Sequence, residues 1–301
     1  MTPPDGSLPF TADVATATAP IYERLKNVIP AVEWPVFAPE IVAIQRLKRE
    51  RNAILLAHNY QTPEIFHGVA DIVGDSLALA REAAKAKADV IVLAGVHFMA
   101  ETAKILAPDK TVLLPEPKAG CPMADMVTGE ALAAWKADHP GVPVVTYVNS
   151  SGEVKAQSDV CVTSANAVAV VRALGEPRIL FAPDRNLGSW VARSLPDVEV
   201  LLWDGWCPTH DDVTTAAVLA ARAAHPGAPV MAHPECRPEV VDLADAVLST
   251  SQMLAFASDS PAEEFVVVTE AGLIHGLQKA APKKRFFELS PRMLRSGRAH
   301  V

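Results

Sequence analysis

Three short clusters in this 301-residue chain set imidazole, phenol, amide and carboxylate groups at matching points of a repeated pattern. They are His58-Asn59-Tyr60-Gln61, Tyr147-Val148-Asn149-Ser150 and His233-Pro234-Glu235-Cys236, each preceded by an apolar run. A hydroxyl residue follows the first member of each cluster by 18, 17 and 17 residues: Ser76, Ser164 and Thr250. A carboxylate near an imidazole can shuttle protons. Hydroxyls at helix starts either cap the helix or, left free beside its N–H groups, help hold an anion. Cys121 and Cys207 recur at a step of 86 residues, and His210 follows the second of them. A third step of 86 reaches Met293.

The elements that must carry these groups repeat as well. After each cluster comes an extended segment, 70–76, 158–164 and 244–250, in which Asp71, Asp159 and Asp245 align. A third apolar strand follows at 89–95, 178–183 and 264–269, and a fourth at 111–115, 198–203 and 285–289. Short, unalternating Val/Ile/Leu runs read as strands buried on both faces of a parallel sheet. The Ala-rich stretches between them read as helices, which makes the pattern βαβ. Self-similarity at a fixed period makes a repeat architecture. The predicted fold is α/β: three similar α/β/α units with short parallel sheets about a pseudo-threefold axis around a central cavity.

The predicted organisation is an N-terminal extension with helices over 1–51, then units at 52–118, 119–205 and 206–290, and an irregular basic tail at 291–301. Residues 1–19 read as loose, 21–29 and 39–51 as surface helices, and the basic run 46–51 as a solvated helix end. Asp211 and Asp212 read as opening a helix that runs to Ala224. Cys161, between Val160 and Val162, reads as a core residue, and Cys236 beside Glu235 is ambiguous, with lining the site without binding anything as one reading. His67, His97 and His275 read as structural or surface residues.

Composition narrows the function class. A net charge of −8 argues against a basic nucleic-acid surface. No apolar run reaches the length that spans a bilayer, and MTPPDGSLPF lacks the pattern of a secretory signal. Four scattered cysteines then fit reduced thiols or metal ligands rather than a disulfide framework, and the expected location is cytoplasmic. Neither GxGxxG nor a Walker sequence is present. By position outside the strands' carboxyl ends, His58, Tyr60, Ser76, Tyr147, Asn149, Ser164, His233, Glu235 and Thr250 are candidates to converge on one cavity, together with Cys121, Cys207 and His210.

These motifs, with Gly74-Asp75-Ser76-Leu77, the run from Gly95 to Lys104 and the run from Val162 to Ala167, resemble the quinolinate synthase family over roughly 41–287. The resemblance implies three α/β units around a central cavity and a transferase reaction. Iminoaspartate condenses with dihydroxyacetone phosphate, with loss of phosphate and water, to give quinolinate for NAD biosynthesis. It also implies functional coupling to an enzyme that oxidises L-aspartate. A [4Fe–4S] cluster held by three cysteines, one per unit, is implied, with Cys121 and Cys207 matching two of them. The family's third cysteine follows the last strand, where this chain has RMLRSGRAHV. The substrate-binding positions match His58, Ser76, Tyr147, Asn149, Ser164, His233, Glu235 and Thr250. Catalytic roles in proton transfer or substrate handling match Tyr60, Tyr147, His210 and Glu235. Two other classes stay open on the residues alone. One is a weakly active or inactive relative that binds dicarboxylates or a sugar phosphate. The other is a zinc-dependent hydrolase or lyase using Cys121, Cys207 and a histidine.

Overall fold

The computed structural model describes residues 8–289. The basic tail and Met293 lie outside the described residues. Among the described residues, twelve strands form three four-stranded sheets, all parallel, each with the same internal order, second-first-third-fourth. The first sheet holds β1 (Ala53–His58), β2 (Ile72–Gly74), β3 (Val90–Ala94) and β4 (Thr111–Leu113). The second holds β5 (Val144–Tyr147), β6 (Val160–Val162), β7 (Arg178–Ala182) and β8 (Glu199–Leu202). The third holds β9 (Val230–Ala232), β10 (Ala246–Val247), β11 (Glu264–Val268) and β12 (Arg285–Glu288). The threefold α/β architecture expected from the repeat is therefore present.

Helices fill the connections in the same order each time. A short helix joins the first two strands: α3 (Pro63–Gly68), α7 (Gly152–Ala156) and α12 (Pro238–Val241). Longer ones follow: α4 (Ser76–Lys85) and α5 (His97–Leu106), α8 (Ala167–Leu174) and α9 (Arg185–Ser194), α13 (Thr250–Asp259) and α14 (Leu273–Ala280). One helix also precedes each sheet: α2 (Trp34–Glu50), α6 (Gly129–Ala137) and α11 (Thr215–Ala224). Apolar side chains pack on both faces of every sheet, which is why the central strands read as unbroken apolar runs. No helix among the described residues is long and apolar enough to cross a membrane.

The amino ends of the first strands carry one device three times. Asp71 accepts from the backbone N–H of Leu55, Asp159 from that of Val144, and Asp245 from that of Val230, each at 2.8 Å. A cation 23 residues earlier, on the helix before the sheet, grips that carboxylate and a neighbouring carbonyl. Lys48 binds Asp71 and Val69 O, Lys136 binds Asp159 and Gln157 O, and Arg222 binds Asp245 and Leu243 O. Each clamp ties helix, first strand and second strand together.

Several local expectations are corrected. Residues read as loose form part of α1 (Ala12–Leu25), which Thr11 caps by accepting from Val14 N, and whose Leu25 is fully buried against α2. The Thr- and Ala-rich composition hid an apolar face formed by Val14, Ile21, Tyr22 and Leu25. The basic run at 46–51 is not wholly solvated, because Lys48 turns inward as the first clamp. Asp211 ends the short helix α10 (Pro208–Asp211), and α11 starts beyond Asp212, where Thr214 accepts from Ala217 N. Cys161 is exposed: β6 is an edge strand, and Cys161 lies on its open face while Val162 faces the core.

Candidate active site

A sheet ordered second-first-third-fourth reverses direction between its first and third strands, and ligands collect beyond the carboxyl ends at that point. Here the three such crevices open into one cavity of about 210 Å³. Its walls include all of His58, Tyr60, Ser76, Cys121, Tyr147, Asn149, Ser164, Cys207, His210, His233, Glu235 and Thr250. The seams around it are packed. Cys121 touches the cores of the first two units, Trp190 those of the second and third, and Tyr60 packs on the core of the third.

Glu235 is the hub of the polar wall. Tyr147 donates its phenol to Glu235 Oε1 at 2.5 Å, and His210 Nδ1 lies 2.9 Å from Oε2. His210 Nε2 reaches Thr269 Oγ1 at 2.9 Å, and the His210 ring stacks on His233. Burial works to raise the Glu235 pKa, but the two imidazoles and the bonds from His210 and Tyr147 outweigh it and hold the carboxyl well below the usual range. Tyr147 moves the other way: burial first, then the Glu235 charge, keeps its phenol protonated. An ionised carboxylate receiving a phenol and facing an imidazole forms a ready proton relay.

His58 and His233 are built alike. Each Nδ1 accepts a backbone N–H two residues on, from Tyr60 and from Glu235, both at 3.3 Å. That arrangement leaves Nε2 as the protonated nitrogen of a neutral ring. Burial lowers both pKa values to about 4. Ser76 and Thr250 are not the caps of their helices. Asp75 and Ser249 accept the first-turn N–H groups instead, so Ser76 and Thr250 occupy the first helical position. Their hydroxyls, and the Asn149 amide, make no hydrogen bond among the described residues and line the cavity. Ser164 sits in the turn before α8, whose cap position belongs to Asn166.

The two thiols face the same cavity from the loops after β4 and β8. Burial pushes Cys121 up to about 11 and, with the Glu235 and Cys121 charges adding to it, Cys207 well above its ordinary value. A buried thiol pair of this kind deprotonates when a cation binds, so the donor set fits an iron–sulfur or other thiolate-bound metal. Among the described residues, the side chains close enough to share one ion are Cys207, His210 and Glu235, whose ligand atoms lie within 4.8 Å of one another. Cys121 is not in that group. Cys236, left ambiguous by the sequence, does not line the cavity: its Sγ is buried and directed at Val268 O, 3.7 Å away.

The sequence reading missed two carboxylates set just past the third strand. Asp184 accepts from Leu187 N at 2.7 Å and from Cys207 N at 3.2 Å, so it holds the cysteine loop. Burial and the nearby Glu235 raise its pKa well above the carboxylate range. Glu270 lines the cavity and accepts from Gly272 N at 2.7 Å, and burial lifts its pKa to about 7. Glycine at 272 gives this turn room, since an added Cβ would lie 2.6 Å from the Glu270 carboxylate and 3.2 Å from the Tyr60 backbone. Asp184 and Glu270 are themselves 86 residues apart, a signal the repeat carried. Asn186 was also missed; it donates to Asp211 and to Glu235 O, each at 3.0 Å, and so steadies the hub from behind.

Residues 42–298 match the sequence profile of the family described as quinolinate synthetase A protein. The chain is 57% identical over 251 residues to a quinolinate synthase of Geobacter sp. (strain M21), covering 83% of this chain and 82% of that one. It is 50% identical over 291 residues to quinolinate synthase 2 of Mesorhizobium japonicum, covering 96% and 90%. It is 57% identical over 247 residues to a quinolinate synthase of Methanoregula boonei, covering 82% and 81%. With the fold, the cavity and these matches together, the chain belongs to the quinolinate synthetase A protein family.

Proposed function

We propose that this chain is a quinolinate synthase, a transferase that condenses iminoaspartate with dihydroxyacetone phosphate to give quinolinate, phosphate and water in NAD biosynthesis. The observation that carries the reading is the meeting of Cys121, Cys207 and the Tyr147–Glu235–His210 relay on one cavity. In this reading the units 52–118, 119–205 and 206–290 each contribute one wall. Cys121 and Cys207 would hold a [4Fe–4S] cluster. When bound, an iron of that cluster with an open position supplies Lewis acidity that withdraws charge from a substrate oxygen or nitrogen.

The protein side chains do the rest. The neutral rings of His58 and His233 donate from Nε2 to substrate oxygens, and the hydroxyls of Ser76, Ser164 and Thr250 with the Asn149 amide hold its anionic ends. Glu235, ionised, takes a proton beside the carbonyl or imine carbon, and His210 or the Tyr147 phenol returns one to the departing oxygen. Tyr60, also held protonated, by burial and then by the Glu270 charge, closes the wall between the first and third units. Iminoaspartate is what two-electron oxidation of L-aspartate yields, so an enzyme of that class is the expected upstream partner.

Anaerobic reconstitution with iron and sulfide, followed by a chromatographic assay for quinolinate, tests the reading. Quinolinate that appears only when both substrates are present supports it; an iron-loaded chain that forms none overturns it. The Cys207–His210–Glu235 trio favours a second reading, a single zinc ion serving a hydrolase or lyase. Metal analysis separates the two: one zinc and no sulfide per chain would select the second.

A further inference from the structure

The fourth residue of each strand-end cluster has a partner for its side chain in the second and third units, while the Nε2 of its counterpart in the first has none. Ser150 Oγ turns back on Tyr147 O at 3.0 Å, and Cys236 Sγ turns back on Val268 O. Gln61, at the same position in the first unit, has its backbone N–H bonded to His58 O at 3.0 Å. The residue is only 6% exposed and lines the cavity, and its buried Nε2 has no hydrogen-bond partner. Buried amide donors are nearly always paired, because an unpaired one forfeits its hydration. Neither Lys nor Arg lines the cavity among the described residues. Anionic groups of a bound molecule must therefore be held by neutral donors, and each donor counts for more than it would beside a cation.

We propose that the Gln61 side-chain amide is a further substrate-binding group, donating from Nε2 to an oxyanion oxygen, carboxylate or phosphate, of the bound substrate. The proposal rests on the quinolinate synthase reading for the presence of such a substrate. Gln61 sits one residue beyond Tyr60, whose backbone is pinned by the Gly272 turn of the third unit, so the amide is presented from a packed seam.

Gln61→Leu and Gln61→Met test it in the full chain, reconstituted anaerobically. Titration calorimetry with L-malate as a dicarboxylate and with inorganic phosphate identifies the anion recognised. Both variants should bind one of the two at least about tenfold more weakly than wild type, and Gln61→Glu should bind that anion more weakly still. Their melting temperatures without ligand should equal or exceed that of wild type, because an unpaired buried donor has been removed. Unchanged binding of both anions, or a lowered melting temperature in both variants, overturns the proposal. If wild type makes quinolinate and Gln61→Leu does so with unchanged KM for both substrates, this inference fails and the functional reading stands. If wild type binds neither anion and makes no quinolinate, both fail.

Discussion

The two ends of the three sheets follow opposite rules. At the amino ends one clamp is written three times, with a cation, a carboxylate and a strand N–H at fixed spacing. At the carboxyl ends the same three positions diverge, to His58, Tyr147 and His233, then Tyr60, Asn149 and Glu235. Symmetry persists where it only joins helix to sheet. It is broken where the groups face one asymmetric molecule, since three identical walls cannot distinguish the two ends of a substrate. The carboxyl ends accordingly hold the perturbed groups: protonated tyrosines, neutral histidines and an ionised Glu235.

The comparison breaks most readily at the hub. Glu235→Gln keeps the shape and removes the base, so kcat should fall by about 10²–10⁴-fold with little change in melting temperature. A loss below tenfold would move the relay elsewhere. The clamps should respond in the reverse sense, losing stability while retaining kcat. Asp71→Asn strips its partner from Lys48, whose side chain is 8% exposed, and should cost about 2–3 kcal/mol in urea denaturation. Asp159→Asn, whose partner Lys136 is 38% exposed, should cost about 1 kcal/mol. Equal costs would mean that burial does not set the strength of the clamp.

A pH titration sharpens the same contrast. The His58 pKa is lowered by burial to about 4, so the unfolded chain binds the extra proton between its ordinary value of 6.5 and 4. Stability is full above pH 6.5 and declines as pH falls, by up to about 3 kcal/mol from this one ring. His58→Gln should flatten the slope between pH 7 and pH 5, whereas Asp159→Asn should leave it unchanged over that range.

The fold was legible because the second and third strands of each unit carry alignable landmarks: Asp71, Asp159 and Asp245, and the runs that end at Ala94, Ala182 and Val268. The role of those aspartates was not legible, since the cation that grips each lies on a helix before the sheet and shows no motif of its own. Most candidate site residues were legible because they follow strands directly, and Cys121 and Cys207 because they recur at the 86-residue step. Asp184 and Glu270 escaped notice because each stands beyond a third strand, where chemistry was not sought, although their 86-residue separation matches that of the cysteines. Cys161 misled because an apolar run does not reveal that its strand lies at a sheet edge. Helix α1 was missed because its apolar face is spread across a Thr/Ala/Pro-rich segment.

The most direct test of convergence is iron and acid-labile sulfide content per chain after anaerobic reconstitution, for wild type and four single Cys→Ser variants. The shared-cavity account predicts that Cys121→Ser and Cys207→Ser each lose the cluster while Cys161→Ser and Cys236→Ser keep it. Iron and sulfide at wild-type levels in either of the first two would contradict it.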